Sequence, residues 1–187
     1  MDVVLEAPET VILAMDEATL YLQATTNHVW APLGQTPHVR VSAERESRRF
    51  YGTLNLRTGE ELVMSSTTGD GATTARHLQQ ILDHYPDHNL LLLWDKAPWH
   101  SGAPIRDLLA ANPRLELLRF PTAAPDLNPQ EHGWKAVRQA VSHNHVTPRL
   151  TDLVDKWQAF LTSNTFPCSL LDDLDVPFLR NLSTIFT

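Results

Sequence analysis

The chain has 187 residues, 42% of them apolar and 20% charged, a balance that excludes a disordered polypeptide and suits one domain, alone or with a small appendage. Its one cysteine, Cys168, excludes an internal disulfide and a thiolate-rich metal site, so any metal is expected on oxygen or imidazole ligands. Fifteen Lys and Arg against 22 Asp and Glu give a formal charge of −7; taken alone this favours a small-molecule enzyme, and DNA handling would need local basic patches, metal ions or a separate binding module.

The acidic start Met1-Asp2-Val3-Val4-Leu5-Glu6 does not read as a secretory leader, and no apolar run approaches transmembrane length. A cytoplasmic protein with no membrane contact is expected. The first strong signal is Val11-Ile12-Leu13-Ala14-Met15, a run too short for a free-standing helix that reads as a strand buried on both faces. β-prone segments follow at 39–41, 49–56 and 61–66, and Thr58-Gly59 predicts that the last two form an antiparallel hairpin. Residues 73–84 read as a helix with Ala75, Leu78, Ile81 and Leu82 as its apolar stripe.

Leu90-Leu91-Leu92-Leu93-Trp94 is a second buried strand, its length limited by Pro86 and Pro98. Residues 103–111 form a short helix that starts near Pro104 and stops at Asn112-Pro113. A strand at 115–120, a Pro- and Ala-rich loop at 121–127 and a helix at 129–141 come next. The last helix, 148–161, carries Leu150, Leu153, Val154, Trp157 and Leu161 at helical spacing. The tail from Phe166 reads equally as a packing appendage or a partner-binding segment. Strand, hairpin, helix, strand, helix, strand, helix is the order of an α/β fold with a mixed central sheet. An RNase H-like arrangement fits it better than a flavodoxin-like one, which needs no early hairpin. The expected division is a domain over 1–147 and a helical C-terminal extension over 148–187, packed on the same domain.

Both apolar runs end in aspartate, at Asp16 and Asp95. Sites in open α/β sheets form outside the carboxyl ends of parallel strands, and two adjacent carboxylates repel unless a proton or a cation intervenes. A divalent metal such as Mg2+ suits one or two carboxylates completed by water and phosphate oxygens. Either aspartate alone reads equally well as a strand end bonded to turn amides. The third element is Pro125-Asp126-Leu127-Asn128-Pro129-Gln130-Glu131. Asn128 is a good N-cap and Pro129 suits the first helical position. Glu131 then reads either as a capping-box partner returning to the Asn128 amide or as a third carboxylate. Trp134, Val137 and Val141 form the buried stripe of that helix, and Glu131, Lys135 and Arg138 share an adjacent arc. Glu17 follows Asp16 and should point to the opposite face.

Three segments, Met15-Asp16-Glu17, Trp94-Asp95-Lys96-Ala97-Pro98-Trp99-His100 and Pro125 through Trp134, resemble the catalytic signatures of bacterial DDE transposases. The branch is the insertion-sequence one related to the Tc/mariner superfamily. Thirty-five residues separate Asp95 from Glu131, close to that group's interval, and Trp30, Gly34 and Gln35 resemble its early motif. The resemblance covers about residues 11–145. It implies an RNase H-like domain in which Asp16, Asp95 and Glu131 bind two Mg2+ or Mn2+ ions and carry out DNA strand cleavage and strand transfer. Lys96, where the family has Asn, and His100, Lys135 and Arg138 are the residues expected beside DNA. Arg45, Arg48, Arg49, His143 and His145 read more readily as solvated surface.

The implied setting is a bacterial, nucleoid-associated protein whose partners are transposon ends and target DNA, with a homodimer permitted. The family's N-terminal helix-turn-helix module has no counterpart before Val11 and is expected on a separate or fused chain. A fragment, a frameshift partner and a decayed copy serving as a DNA-binding or oligomerisation scaffold all fit that feature.

Overall fold

The computed structural model describes residues 10–97, 100–120 and 128–167. The N-terminal segment, Pro98, Trp99, the loop 121–127 with Asp126, and the chain from Cys168 onward lie outside the described residues.

Five strands form one mixed sheet: β1 (Val11–Tyr21), β2 (Ser47–Asn55), β3 (Glu61–Ser66), β4 (Leu90–Trp94) and β5 (Leu115–Arg119), in the spatial order β3-β2-β1-β4-β5. β1 pairs antiparallel with β2 and parallel with β4, and β4 pairs parallel with β5. The expected hairpin is β2–β3, closed by a turn in which Gly59 adopts φ +73°, a conformation that costs glycine little. This order, with helices in the crossovers, is the RNase H-like arrangement anticipated from the element order. Residues 39–41 adopt no regular structure; Val39 and Val41 have β propensity, but β2 and β4 already occupy both edges of β1.

β1 runs six residues beyond Met15 because its alternation continues. Ala18 and Leu20 stay buried, followed by Leu22 just past its end, while Glu17 and Thr19 face the other way. The two faces are covered by different helices. On one, α1 (Gly71–His84) and α2 (Ala103–Ala111) set Leu78, Ile81, Leu82 and Ile105 over Leu13, Met15, Tyr51, Leu92 and Trp94. The α1 start is fixed by Asp70, whose Oδ1 accepts from Thr73 N–H at 2.8 Å and so satisfies one of the end amides that the helix leaves unpaired.

On the other face lie α3 (Gln130–Val137) and α4 (Leu150–Ser163). The expected helix over 129–141 is α-helical only to Val137 and closes with a π turn, Arg138–Ser142. Trp134 and Val137 from α3 join Leu153, Val154, Trp157 and Leu161 from α4 over Ala18, Leu20, Phe50 and Val63. Trp157 is 1% exposed, stacks on Trp134 with ring centroids 6.0 Å apart and meets Phe50 at 5.0 Å. The last described helix therefore completes one of the two main core layers. Trp157→Ala should lower the unfolding free energy by about 3–5 kcal/mol, measured by urea denaturation; a loss below about 1 kcal/mol would mean that α4 is dispensable to the domain.

Candidate active site

The site gathers at the middle of β1, where Asp16 lies within the strand rather than at its end, and just past the carboxyl end of β4. The parallel register pairs Ala14 with Leu93, and carried two residues further it sets Asp16 level with Asp95. On the other side of β1, Asp16 lies opposite Gly52 of β2. Asp16 shares its sheet face with Ala14 and Ala18, the face covered by α3. The start of α3 is tied to this strand by Asn128, whose Oδ1 accepts from Gln130 N–H at 3.1 Å while its Nδ2 donates to the Met15 carbonyl at 3.2 Å. The cap therefore holds Glu131 beside the strand that carries Asp16. The Glu131 carboxylate faces Arg138, with Oε2 3.8 Å from Nη1, rather than bonding back to the helix start.

The electrostatics show how closely these groups are coupled. Burial first, and then the charge of Glu131, with smaller pushes from Glu17 and Asp95, raise the Asp16 pKa from 3.8 to about 7, against a lowering hydrogen bond from the Glu17 amide. A low-dielectric pocket shared by several carboxylates favours the neutral acid. Asp95 is held differently. Its Oδ1 accepts from Ala97 N–H at 2.9 Å and lies 2.8 Å from His100 Nδ1, while its side chain stays 50% exposed. Both contacts fall on Oδ1.

Sequence reasoning did not bring Glu17 and His100 together. Glu17 does point to the opposite face of β1, and there its Oε1 lies 2.8 Å from His100 Nε2. His100 is 2% exposed and stacks on Trp94 with centroids 4.3 Å apart and planes 6° from parallel. Burial alone would lower its pKa, but the Glu17 bond and charge, followed by Asp95, raise it above the usual histidine value. An imidazolium donating from both nitrogens fits between the two carboxylates. His100 thus lies beneath the site, bracing Asp95, and not on a face open to phosphate. Lys96 and Lys135 are exposed, and Arg138 is half-buried beside Glu131. Trp30 of the early motif is fully exposed on the connection between β1 and β2. Thr25 bridges to His143 beyond the π turn, with Oγ1 2.7 Å from Nδ1.

The donor set suits a hard divalent cation, since the crowding of carboxylates around Asp16 is what such an ion would relieve. Among the described residues no three His, Cys, Asp or Glu side chains are grouped closely enough to hold one metal ion together. One or two carboxylates per ion, completed by water and substrate oxygens, is the arrangement Mg2+ prefers.

The sign of the pH effect follows from the raised Asp16 pKa. Between pH 3.8 and about 7 the folded chain keeps a proton that the unfolded chain has released, so this contribution to stability is complete at low pH and is lost as pH rises through 7. The metal-free melting temperature should therefore fall over that interval, less steeply in Asp16→Asn, and Mn2+ should restore it in the wild type alone. Parallel melting curves for the two proteins would contradict this account of Asp16.

A family model described as DDE superfamily endonuclease matches residues 11–154. The chain is similar to the insertion element IS630 uncharacterized 39 kDa protein of Shigella sonnei, 23% identical over 154 residues, which cover 81% of this chain and 45% of that protein. It is also similar to the transposable element Tcb2 transposase of Caenorhabditis briggsae, 25% identical over 162 residues, covering 73% of this chain and 57% of that protein. The chain spans about half the length of these curated relatives. Its fold is that of the Mos1 transposase in its paired-end complex with the left transposon end, with a TM-score of 0.64 at 17% identity over 88% of this chain and 52% of that one. The Mos1 mariner catalytic domain matches with a TM-score of 0.55 at 15% identity, over 88% of this chain and 78% of that one. With its model spanning most of the described residues, the chain belongs to the DDE superfamily endonucleases, in the group of the IS630 and Tc/mariner elements.

Proposed function

We propose that this chain is a transposase catalytic domain that cuts and joins DNA strands by in-line phosphoryl transfer, using two Mg2+ or Mn2+ ions held by Asp16, Asp95 and Glu131. The observation that carries this reading is the convergence of three acids from distant segments: the strand register sets Asp16 level with Asp95, and the Asn128 bonds seat the helix of Glu131 on the strand of Asp16. Structures of the Mos1 paired-end complex with Mn and with Mg support the choice of ions. Divalent ions bound there would stabilise developing charge on the phosphoryl oxygens and ease deprotonation of the attacking water or 3′-hydroxyl.

The chain's own residues supply position and charge. Ala97 N–H and His100 orient one oxygen of Asp95 and leave the half-exposed side chain facing the site mouth. The Asn128 cap fixes the first turn of α3 against β1 and so sets the distance between Glu131 and Asp16. Lys96, Lys135 and Arg138 would meet the phosphate backbone, the local cationic contribution that an acidic chain requires. His100 acts through Asp95. The remaining partners are a helix-turn-helix module that recognises the element's ends, target DNA and a second copy of the chain, in the bacterial cytoplasm at the nucleoid.

The test is Mn2+-dependent nicking of a duplex carrying the element's ends by the chain joined to its DNA-binding module. Asp95→Ala should abolish nicking with an unchanged circular dichroism spectrum, and His100→Ala should reduce it by about 10–100-fold, as expected for a residue that orients a ligand. Full nicking by Asp95→Ala would rule the proposal out, and absence of carboxylate-dependent Mn2+ binding in the wild type would favour a scaffold.

A further inference from the structure

A second carboxyl lies under the same helix, where the reaction does not use it. Glu61 opens β3 and points to the α3 side of the sheet, where it is 7% exposed. Its Oε1 accepts from Gln130 Nε2 at 2.5 Å, across 69 residues of chain. Gln130 is fully buried in the first turn of α3, next to Glu131. Two oxygens of this pair have no hydrogen-bond partner: Glu61 Oε2 and Gln130 Oε1, both sealed from solvent. Two acceptors cannot satisfy each other, whereas a proton on the carboxyl turns one into a donor.

We propose that Glu61 is a neutral acid joined to Gln130 by two reciprocal hydrogen bonds, and that this pair is a positioning device seating the first turn of α3, and with it Glu131, beside Asp16. The amide donates from Nε2 to Glu61 Oε1, and the protonated Oε2 donates to Gln130 Oε1. Both orphaned oxygens are satisfied together, in the way an acid and an amide pair in an apolar medium. The backbone leaves room for this. Gly52, directly opposite Asp16, would with a Cβ bring that atom within 2.5 Å of Gln130 Nε2 and 2.6 Å of the Trp134 ring. Its missing side chain is the space the pair fills, between β2 and α3.

Burial raises the Glu61 pKa from 4.5 to about 8 against a lowering hydrogen bond from Gln130, and no charged group enters that balance. Asp16 on β1, Glu131 and Lys135 on α3, Arg138 beyond it and Lys156 on α4 thus leave the proton in place at neutral pH. An ionised Glu61 would hold a buried charge on a single hydrogen bond.

The role of the pair rests on Glu131 being a ligand, but the proton on Glu61 can be read without it. Glu61→Gln reproduces the donor and acceptor pattern of the neutral acid, and Glu61→Ala removes it. Infrared difference spectra of wild type minus Glu61→Gln should show a protonated-carboxyl carbonyl band at pH 7 that gives way to a carboxylate band above pH 8; a carboxylate band at pH 7 would overturn the proposal. Stability supplies the pH profile. The wild-type melting temperature relative to Glu61→Gln should fall as pH rises from 4.5 through 8, because the folded chain holds the proton longer than the unfolded one.

For positioning, Mn2+ affinity measured by calorimetry on the full chain should be kept within about 3-fold in Glu61→Gln and weakened about 10-fold or more in Glu61→Ala. If Glu61→Ala does not fold, Gln130→Leu breaks the pair from the other side, and the double swap Glu61→Gln with Gln130→Glu should rebuild it and restore affinity. Unchanged affinity in Glu61→Ala or Gln130→Leu, or equal losses in Glu61→Gln and Glu61→Ala, would overturn the positioning role. Loss of Mn2+ binding in Asp95→Ala alongside such a result would leave the catalytic reading standing and this one alone refuted.

Discussion

Repulsion between carboxylates gathered at the middle of β1 and the carboxyl end of β4 is the constraint on which the rest of the structure depends. Asp16, Glu17, Asp95 and Glu131 converge there from three separate stretches of chain, and strand alternation divides them. Glu17 goes to the face of α1 and α2, where the buried His100 balances it. Asp16 goes to the face of α3, where Glu131 and burial push its pKa to about 7. A one-residue slip of β1 would exchange the two and bury the wrong acid on each side. The apolar alternation from Leu13 to Leu22, which the core on both faces requires, is therefore also what fixes the chemistry of the site.

His100 links the two faces. It touches Glu17 on one side and Asp95 on the other, and lies flat on Trp94, the last residue of β4. The buried imidazole, held between both carboxylates, orients one oxygen of Asp95 while half of that side chain stays exposed. The formal charge of −7 is then less at odds with a DNA-acting role than it first looks. Part of the acidity is internal, paired or protonated, and the exposed Lys96 and Lys135 stand beside the site acids on their own loop and helix.

Much of this is legible in the sequence, for identifiable reasons. Asp16 and Asp95 are visible because each ends a short apolar run, and a strand's carboxyl end is where α/β sheets expose their chemistry. Hairpin, helices and sheet order follow from local periodicity and turn residues. Glu131 is not legible from spacing, since a capping-box glutamate and a ligand occupy the same position of the same motif; the transposase resemblance selects between them. The Glu17–His100 contact spans 83 residues and the Glu61–Gln130 contact spans 69, and no local pattern encodes a pairing at that range. The segment at 39–41 shows the converse failure, where a strand-like sequence stays irregular because β2 and β4 already flank β1. β1 extends past Asp16, where the apolar run stops, because Ala18, Leu20 and Leu22 continue the alternation beyond it.

The two raised acids on the α3 face, Asp16 and Glu61, show two outcomes of one physical problem. Each lies on a strand under the same helix with Gly52 between them, Glu61 buried and Asp16 half-buried, and each pays for lost solvation by favouring its neutral form. They differ in their neighbours. Glu61 meets one amide and no charge, so a proton satisfies it completely and leaves it inert. Asp16 feels the charge of three other carboxylates, one of them half-exposed, and a single proton cannot neutralise that cluster. Under the proposed function a divalent cation would do so, beside the charge that His100 and Arg138 already supply. Inert support and reactive site are therefore separated on one sheet face by the width of a glycine, and local charge decides which acid is which.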